Sequence, residues 1–351
     1  MSEKPVRVLV AGLGNMGRSH ALAYHNEPGY EIVGLVTRSG TIPAGLESYP
    51  HFTDFKAALA ETKPDLASIN TYTDTHVDYA IAAMEAGAHV FIEKPLATNV
   101  EDSRRVVETA RRLNKKLVIG YILRHHPSWI GFIEKAREMG GPYVMRLNLN
   151  QQSAGRHWET HKRLMESTSP MVDCGVHYVD VMCQITDSRP IQVRGMGVRL
   201  TDEIAPDMRN YTHLQVLFED GSVGWYEAGW GPMMSETAFF VKDVITPKGA
   251  ISIVMEEGAK SSDHSTHTKT SRIRVHHAAL KADGTYEKAD EWLSMEGEPA
   301  HDALCAREQA FMLKAIREDI DLTKHNEDAV RSLEIVLASE RSTREMRAID
   351  L

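Results

Sequence analysis

The chain has 351 residues, 42% hydrophobic and 25% charged, enough apolar material for a sizeable core and too much for a disordered chain. Lys and Arg number 40 against 49 Asp and Glu, and this net charge of -9 is spread along the chain, which argues against nucleic acid and anionic membranes as main partners. The three cysteines, Cys174, Cys183 and Cys305, match no zinc spacing and suit a reducing compartment. No stretch approaches the roughly 18 apolar residues needed to span a bilayer. Met1–Pro5 runs straight into the apolar Val6–Ala11 with no signal pattern, so a cytoplasmic protein is expected.

Val6–Ala11, Ile32–Val36, Leu66–Asn70, Val90–Ile92 and Leu117–Gly120 are short β-branched runs that predict buried strands. Between several of them, Met16–His25, Thr75–Ala86 and Val100–Leu113 carry apolar residues at helical spacing. Thr98 and Glu101 form an S/T-x-x-E pattern at the start of the third helix. Repeated strand–helix–strand units predict an α/β domain with a doubly wound parallel sheet over residues 1–125.

Past residue 125 the pattern becomes one helical segment followed by many strands. Tyr143–Gln151, Ile191–Val198, Thr212–Phe218, Ser222–Ala228 and Ala238–Ile245 predict a mostly antiparallel sheet in a second domain, 126–300. Glu219-Asp220-Gly221 is a hairpin turn, because Gly supplies positive φ. Gly258–Thr270 is polar and reads as a long loop or hairpin tip. Residues 301–351 are helical, with Phe311, Ala315 and Ile316, then Leu333, Val336 and Leu337, on apolar faces.

Gly12-Leu13-Gly14-Asn15-Met16-Gly17 is a G-x-G-x-x-G directly after a strand and directly before a helix. In that context Gly12 allows a tight turn, Gly14 lets the backbone approach a pyrophosphate, and Gly17 permits close helix–strand packing. The free N–H groups and dipole of the helix start favour phosphates, with Asn15 and Met16 in the first turn. This is the mark of a dinucleotide-binding Rossmann domain. A carboxylate at the end of the second strand would hold the ribose hydroxyls of NAD. The chain instead has Thr37-Arg38-Ser39, where Arg38 can cover a 2′-phosphate with Thr37 and Ser39 as donors, which points to NADP ahead of NAD.

The whole pattern resembles the Gfo/Idh/MocA family of oxidoreductases (glucose–fructose oxidoreductase, inositol dehydrogenase, rhizopine catabolism). Four matches carry the resemblance: Gly12–Gly17, Glu93-Lys94-Pro95-Leu96-Ala97, Gly120-Tyr121 followed by Arg124 and Pro127, and Asp173-Cys174-Gly175-Val176-His177-Tyr178-Val179-Asp180. It implies a Rossmann domain, an open-faced sheet domain that assembles into dimers or tetramers, and last helices returning to the first domain. It also implies Glu93 on the cofactor ribose, Lys94 on the substrate oxygen, and a cis bond before Pro95. Asn70, Thr71, Thr73 and His76 are carried over as cofactor contacts, with capping of the next helix as the other reading of His76. The family commonly has a proline in their loop, where this chain reads Thr71-Tyr72-Thr73-Asp74-Thr75-His76.

An ammonium beside a developing alkoxide stabilises charge and can relay a proton, which suits Lys94. Asp173, His177 and Asp180 fall at i, i+4 and i+7 on one helical stripe, beside an apolar stripe of Val172, Val176, Val179 and Cys183. Imidazole titrates near working pH, so His177 is the candidate general base. Asp173 then orients substrate hydroxyls or His177, and Asp180 supports from behind. Lys94 and His177 can exchange roles.

Substrate contacts are expected from Tyr121, Arg124, Gln152, Arg156, His157, Trp158 and Arg163, with Trp158 stacking on a sugar face and the arginines binding an acidic substituent. Residues 151–163 read equally as a mobile polar loop. Tyr226 and Trp230 read first as sheet aromatics. Among 17 histidines, His264, His267, His276 and His277 lack an acidic or cysteine set completing a metal site, and nicotinamide chemistry needs none. The expected activity is an NAD(P)-dependent sugar or polyol dehydrogenase. The alternatives are a dinucleotide-dependent glycoside hydrolase working by oxidation, elimination and reduction, and a non-enzymatic sugar or dinucleotide sensor.

Overall fold

The computed structural model describes residues 4–38, 40–236, 240–261 and 268–351. Ser39, the start of the expected strand Ala238–Ile245, and His264 and His267 lie outside the described residues. The chain divides into two compact units, Met1–His125 with Pro299–Val330, and His126–Glu298 with Arg331–Leu351. The C-terminal helices are therefore shared between the units rather than standing as a separate segment.

The first unit contains β1 (Val6–Ala11), α1 (Asn15–Asn26), β2 (Tyr30–Val36), β3 (His51–Phe52), α2 (Phe55–Thr62), β4 (Leu66–Ile69), α3 (His76–Glu85), β5 (His89–Ile92), α4 (Val100–Arg112) and β6 (Leu117–Ile119). All pairings in its sheet are parallel, in the order β3-β2-β1-β4-β5-β6. The strand order reverses between β1 and β4, and ligands of such sheets bind outside the carboxyl ends at that switch point. Val8, Val10, Leu66, Phe91 and Val118 form a core with Tyr24 of α1. Burial on both faces explains why these strands read as continuous apolar runs.

Two short elements, β3 and α2, carry too little pattern to be read in advance. Asp54 caps α2 by accepting from the Ala57 N–H at 2.7 Å. The cap of α4 sits one residue beyond the expected Thr98: Asn99 accepts from the Asp102 N–H at 2.8 Å and returns an amide N–H to the Asp102 carboxylate at 2.7 Å. Asn competes well with Thr as a cap, so the register slips by one.

The second unit contains α5 (Pro127–Met139), β7 (Val144–Gln152), α6 (Gly155–Leu164), α7 (Pro170–Thr186), β8 (Pro190–Val198), β9 (Tyr211–Phe218), β10 (Val223–Gly231), β11 (Lys242–Thr246), β12 (Gly249–Val254), β13 (Arg272–His277) and β14 (Glu291–Ser294). After α8 (His301–Arg317) in the first unit come α9 (Thr323–Glu345), divided at Val330, and β15 (Ile349–Asp350) in the second. The nine-stranded sheet runs β14-β13-β12-β11-β7-β10-β9-β8-β15. Its pairings are antiparallel apart from β7 with β10. The Gly221 turn joins β9 to β10 at φ 83°, as the sequence predicts.

Alternation is clean in β9, where Thr212, Leu214, Val216 and Phe218 are buried and their neighbours are not. One face of the sheet is thus covered and the other open. α7 covers the first face, with Tyr178 stacked on Tyr226 at 5.3 Å. A Cβ on Gly175 would meet the Tyr226 ring at 3.1 Å, so the glycine of the D-x-G-x-H pattern allows this close approach. No helix among the described residues is long and apolar enough to cross a membrane.

Candidate active site

Gly12 directly follows β1; its N–H bonds to the Val36 carbonyl at 2.9 Å and its φ is 83°. A Cβ there would lie 2.4 Å from the Asn70 carbonyl oxygen, and one on Gly17 would lie 1.9 Å from the Gly12 oxygen. These two glycines are demanded by the protein itself. Gly14 differs, since nothing lies within 4 Å of where its Cβ would sit. Gly14 also precedes α1 with no side chain capping the helix, so the N–H groups of its first turn, at Asn15, Met16 and Gly17, face outward without a protein acceptor from a cap. Beside them, the Asn70 amide donates to Ser68 Oγ at 3.1 Å, while its Oδ1 is buried with no hydrogen-bond partner among the described residues. Open space, bare N–H groups and an unused acceptor together fit a dinucleotide phosphate and ribose.

At the end of β2, Thr37 is buried and its N–H bonds to Phe52, while Arg38 is exposed. No carboxylate follows β2 in the sequence Thr37-Arg38-Ser39.

The turn after β5 contains a cis Lys94–Pro95 bond. Glu93 is 5% exposed; its Oε1 accepts from His20 Nε2 at 2.7 Å and its Oε2 from the Lys94 N–H at 3.1 Å. His20 in turn accepts at Nδ1 from Gln309, whose side-chain oxygen accepts from the Tyr24 hydroxyl. This chain fixes the His20 tautomer with the proton on Nε2. Burial pushes the Glu93 carboxyl up, but the His20 hydrogen bond and the nearby Lys94 outweigh it and hold the carboxyl below its usual range. Both Glu93 oxygens are therefore engaged inside the protein, which makes it an anchor for the Lys94 turn.

Sequence reasoning did not find the group around this pair. Donor atoms of His20, Cys305 and Glu308 lie within 4.8 Å of one another, all buried. Both Glu308 oxygens lack a hydrogen-bond partner among the described residues, and burial, then the charge of Glu93, push its carboxyl well up. Because both His20 nitrogens are already hydrogen-bonded, we read the group as a buried polar cluster. Its only trace in the sequence is His20, one turn after Gly17, with Cys305 and Glu308 three residues apart on α8.

His76, expected on the cofactor, is 1% exposed with its ring between two backbone carbonyls, Pro95 at 2.9 Å and Thr71 at 3.1 Å. It ties two loops. Thr73 is half-buried in the short 3-10 turn Thr73–Thr75 beside it. Tyr121, expected on the substrate, is 1% exposed with its hydroxyl donating to the Ala329 carbonyl at 3.4 Å. Arg124 donates to the His325 carbonyl at 3.0 Å and lies over the Tyr121 ring. Both side chains brace the start of α9 by donating to its carbonyls.

In the second unit Ser169 caps α7 by accepting from the Val172 N–H. Asp173 is half-buried, His177 is 8% exposed and Asp180 is 1% exposed, accepting from Gln184 at 2.8 Å. The expected division into apolar and polar stripes is not what α7 shows. Nearly every residue from Pro170 to Ile185 is buried, because α5, β7, β9 and β10 all pack on it.

Within residues 151–163, read as ligand contacts or as a mobile polar loop, the chain forms α6 from Gly155 on. Trp158 is buried, its indole N–H donates to Glu203 at 3.3 Å, and Lys162 lies 5.7 Å over its ring, so it has no exposed face for a sugar. Gln152 donates to the Met234 carbonyl at 2.7 Å. The His157 ring lies 4.3 Å from that of His161, which stacks on buried Trp230. Arg156 and Arg163 are exposed. His276 and His277 pair with Asp290 and Glu291 across the β13–β14 region at 2.8 Å each.

The family model described as the oxidoreductase family with an NAD-binding Rossmann fold, Gfo/Idh/MocA, matches residues 6–121. The model for the Gfo/Idh/MocA C-terminal domain matches residues 134–258. D-glucoside 3-dehydrogenase of Escherichia coli is 30% identical over 193 residues, covering 51% of this chain and 54% of that protein. Inositol 2-dehydrogenase of Paracoccus denitrificans is 25% identical over 213 residues, 58% of this chain and 61% of that protein. The matches thus span between half and two thirds of these relatives' own length. Among solved structures, UDP-N-acetylglucosamine 3-dehydrogenase of Acidithiobacillus ferrooxidans has a TM-score of 0.75 at 22% identity, covering 98% of this chain and 99% of that one. Scyllo-inositol dehydrogenase of Lactobacillus casei, solved with NAD(H) and scyllo-inositol, has a TM-score of 0.75 at 18% identity, covering 99% of each chain. With both domain models matched in order and the glycine turn, the cis Lys94–Pro95 turn and the D-x-G-x-H helix in place, the chain belongs to the Gfo/Idh/MocA oxidoreductase family.

Proposed function

We propose that the protein transfers a hydride between a secondary alcohol of a sugar, sugar derivative or polyol and a nicotinamide dinucleotide. The observation that carries this reading is the phosphate turn, with open space at Gly14 and an uncapped α1. A bound nicotinamide supplies the hydride acceptor, or the donor in the reverse direction. Gly12–Gly17 hold its pyrophosphate and Asn70 offers an unused acceptor beside them. Lys94, with its backbone fixed by Glu93, presents an ammonium that stabilises the alkoxide of the reacting oxygen. His177 takes the hydroxyl proton on a ring nitrogen, and Asp173 on the preceding turn orients the substrate hydroxyls. Dehydrogenases of inositol and of glucosides among the relatives support a sugar or polyol as substrate.

Arg38 without a neighbouring carboxylate supports NADP over NAD. The open sheet face, with Leu217 and Val223 exposed beside Arg146, Arg194 and Trp225, supports assembly into a homodimer or homotetramer through that face.

The test offers NAD and NADP with myo-inositol, methyl glucoside and UDP-N-acetylglucosamine, and follows reduced-nicotinamide absorbance. Accumulation with at least one of these alcohols supports the reading. Release of the methyl aglycone without net reduction, or dinucleotide binding with no turnover, contradicts it.

A further inference from the structure

The pairing of β4 with β5 runs as far as Ile69 and Ile92, and one more bond, from the Glu93 N–H to the Ile69 carbonyl, closes it at 2.9 Å. Beyond that point the two chains leave the sheet as separate loops, one through Thr71–Thr75 and the other through Lys94–Pro95. The His76 side chain spans them. It opens α3, its ring is 1% exposed, and its two nitrogens lie 2.9 Å from the Pro95 carbonyl oxygen and 3.1 Å from that of Thr71. Whichever nitrogen carries the proton, the ring ties down a loop end that the sheet no longer holds. With the proton on Nδ1, the nitrogen that makes the shorter contact, Lys94 is gripped on both flanks. On one side its own N–H and that of Glu93 are bonded, and on the other the carbonyl of Pro95 meets His76.

We propose that His76 is a positioning residue, setting the stance of Lys94 through the Pro95 carbonyl. The role rests on the reading of Lys94 as the group that meets the reacting oxygen. His76 acts on turnover through Lys94, and dinucleotide binding stays with the glycine turn and Asn70.

The test compares His76→Phe, His76→Gln, Lys94→Ala and the double variant Lys94→Ala/His76→Phe. Turnover is measured with whichever of myo-inositol, methyl glucoside and UDP-N-acetylglucosamine the wild type uses, and dinucleotide Kd by quenching of intrinsic fluorescence. His76→Phe should lower kcat about 10- to 100-fold, the scale of a misplaced catalytic group. Its dinucleotide Kd should stay within about threefold, since the binding turn is untouched. His76→Gln, which keeps an amide donor, should recover part of kcat, and it carries the comparison if His76→Phe does not fold. The double variant should be no slower than Lys94→Ala. Unchanged kcat, a Kd that weakens in step with kcat, or a double variant slower by the full His76 factor overturns the inference. Full turnover in Lys94→Ala alone overturns the reading of Lys94 and the inference together, and is distinguished by its own single-variant rate.

Discussion

Three glycines in one turn separate two demands that a sequence motif merges. Gly12 and Gly17 are fixed by backbone within 2.4 Å of their missing Cβ, whereas Gly14 borders open space. Gly14→Ala should therefore fold with a Tm near that of the wild type yet weaken dinucleotide binding at least about tenfold, because its methyl enters the phosphate space. Gly17→Ala should instead lose about 2 kcal/mol or more of stability through overpacking against Gly12. Thermal unfolding and a dinucleotide titration on both variants check this; equal loss of Tm in the two would contradict it. Arg38→Ala should weaken NADP about tenfold and leave NAD unchanged, the scale of one charge-assisted phosphate contact. Equal affinities before and after the change would remove the NADP preference. The glycine spacing was legible because chemistry and backbone geometry coincide there. The tie through His76 was not, because its partners are carbonyls of residues 5 and 19 positions away, and carbonyls have no sequence signature.

At the scale of elements, strands buried on both faces and helices with strong periodicity were readable, and boundaries shifted by only a residue or two. α7 shows what periodicity misses. Its stripe of Asp173, His177 and Asp180 was visible, but the sequence does not say how many neighbours a helix has, and α7 is buried on nearly every side. Trp158 was read as stacking on a sugar face because α6 was not recognised as a helix, and the indole N–H instead donates to Glu203. α8 hides a further feature. Glu308 keeps its proton in the folded protein because burial and Glu93 raise its carboxyl well above the ordinary 4.5. The unfolded chain releases that proton above about pH 4.5, so the folded state then binds more protons and stability falls as pH rises. Glu308→Gln keeps the shape and removes this loss. The variant should be about 1–3 kcal/mol more stable than the wild type at pH 8 and nearly equal at pH 4. Denaturant unfolding at the two pH values checks it, and a difference independent of pH would contradict it. Glu93 has the opposite sign, its depressed carboxyl giving stability that is present above the ordinary 4.5 and lost on acidification.

At the scale of the whole molecule, the change of pattern near residue 125 falls at His125, where the first unit's N-terminal stretch ends. The fate of the C-terminal segment was less readable, because apolar periodicity shows that a helix is buried but not against which core. Met312, Leu313 and Ala315 of α8 join the first core, while Ile349 of β15 pairs with Val193 in the second unit's sheet. The proposed homo-oligomer would meet through the open face of that sheet. Leu217→Lys should lower the assembly state by light scattering without lowering the Tm of the subunit fold, since Leu217 is 37% exposed in the single chain. An unchanged mass would remove this face from the interface.

The most direct test of hydride transfer by this chain is reduced-nicotinamide absorbance in the wild type, Lys94→Ala and His177→Ala, with dinucleotide affinity measured on each. The account predicts that both variants bind the dinucleotide as the wild type does while their turnover falls by at least about 100-fold, as expected for loss of a positioned acid–base group. Turnover that survives both substitutions, or that disappears only in step with dinucleotide binding, would contradict it.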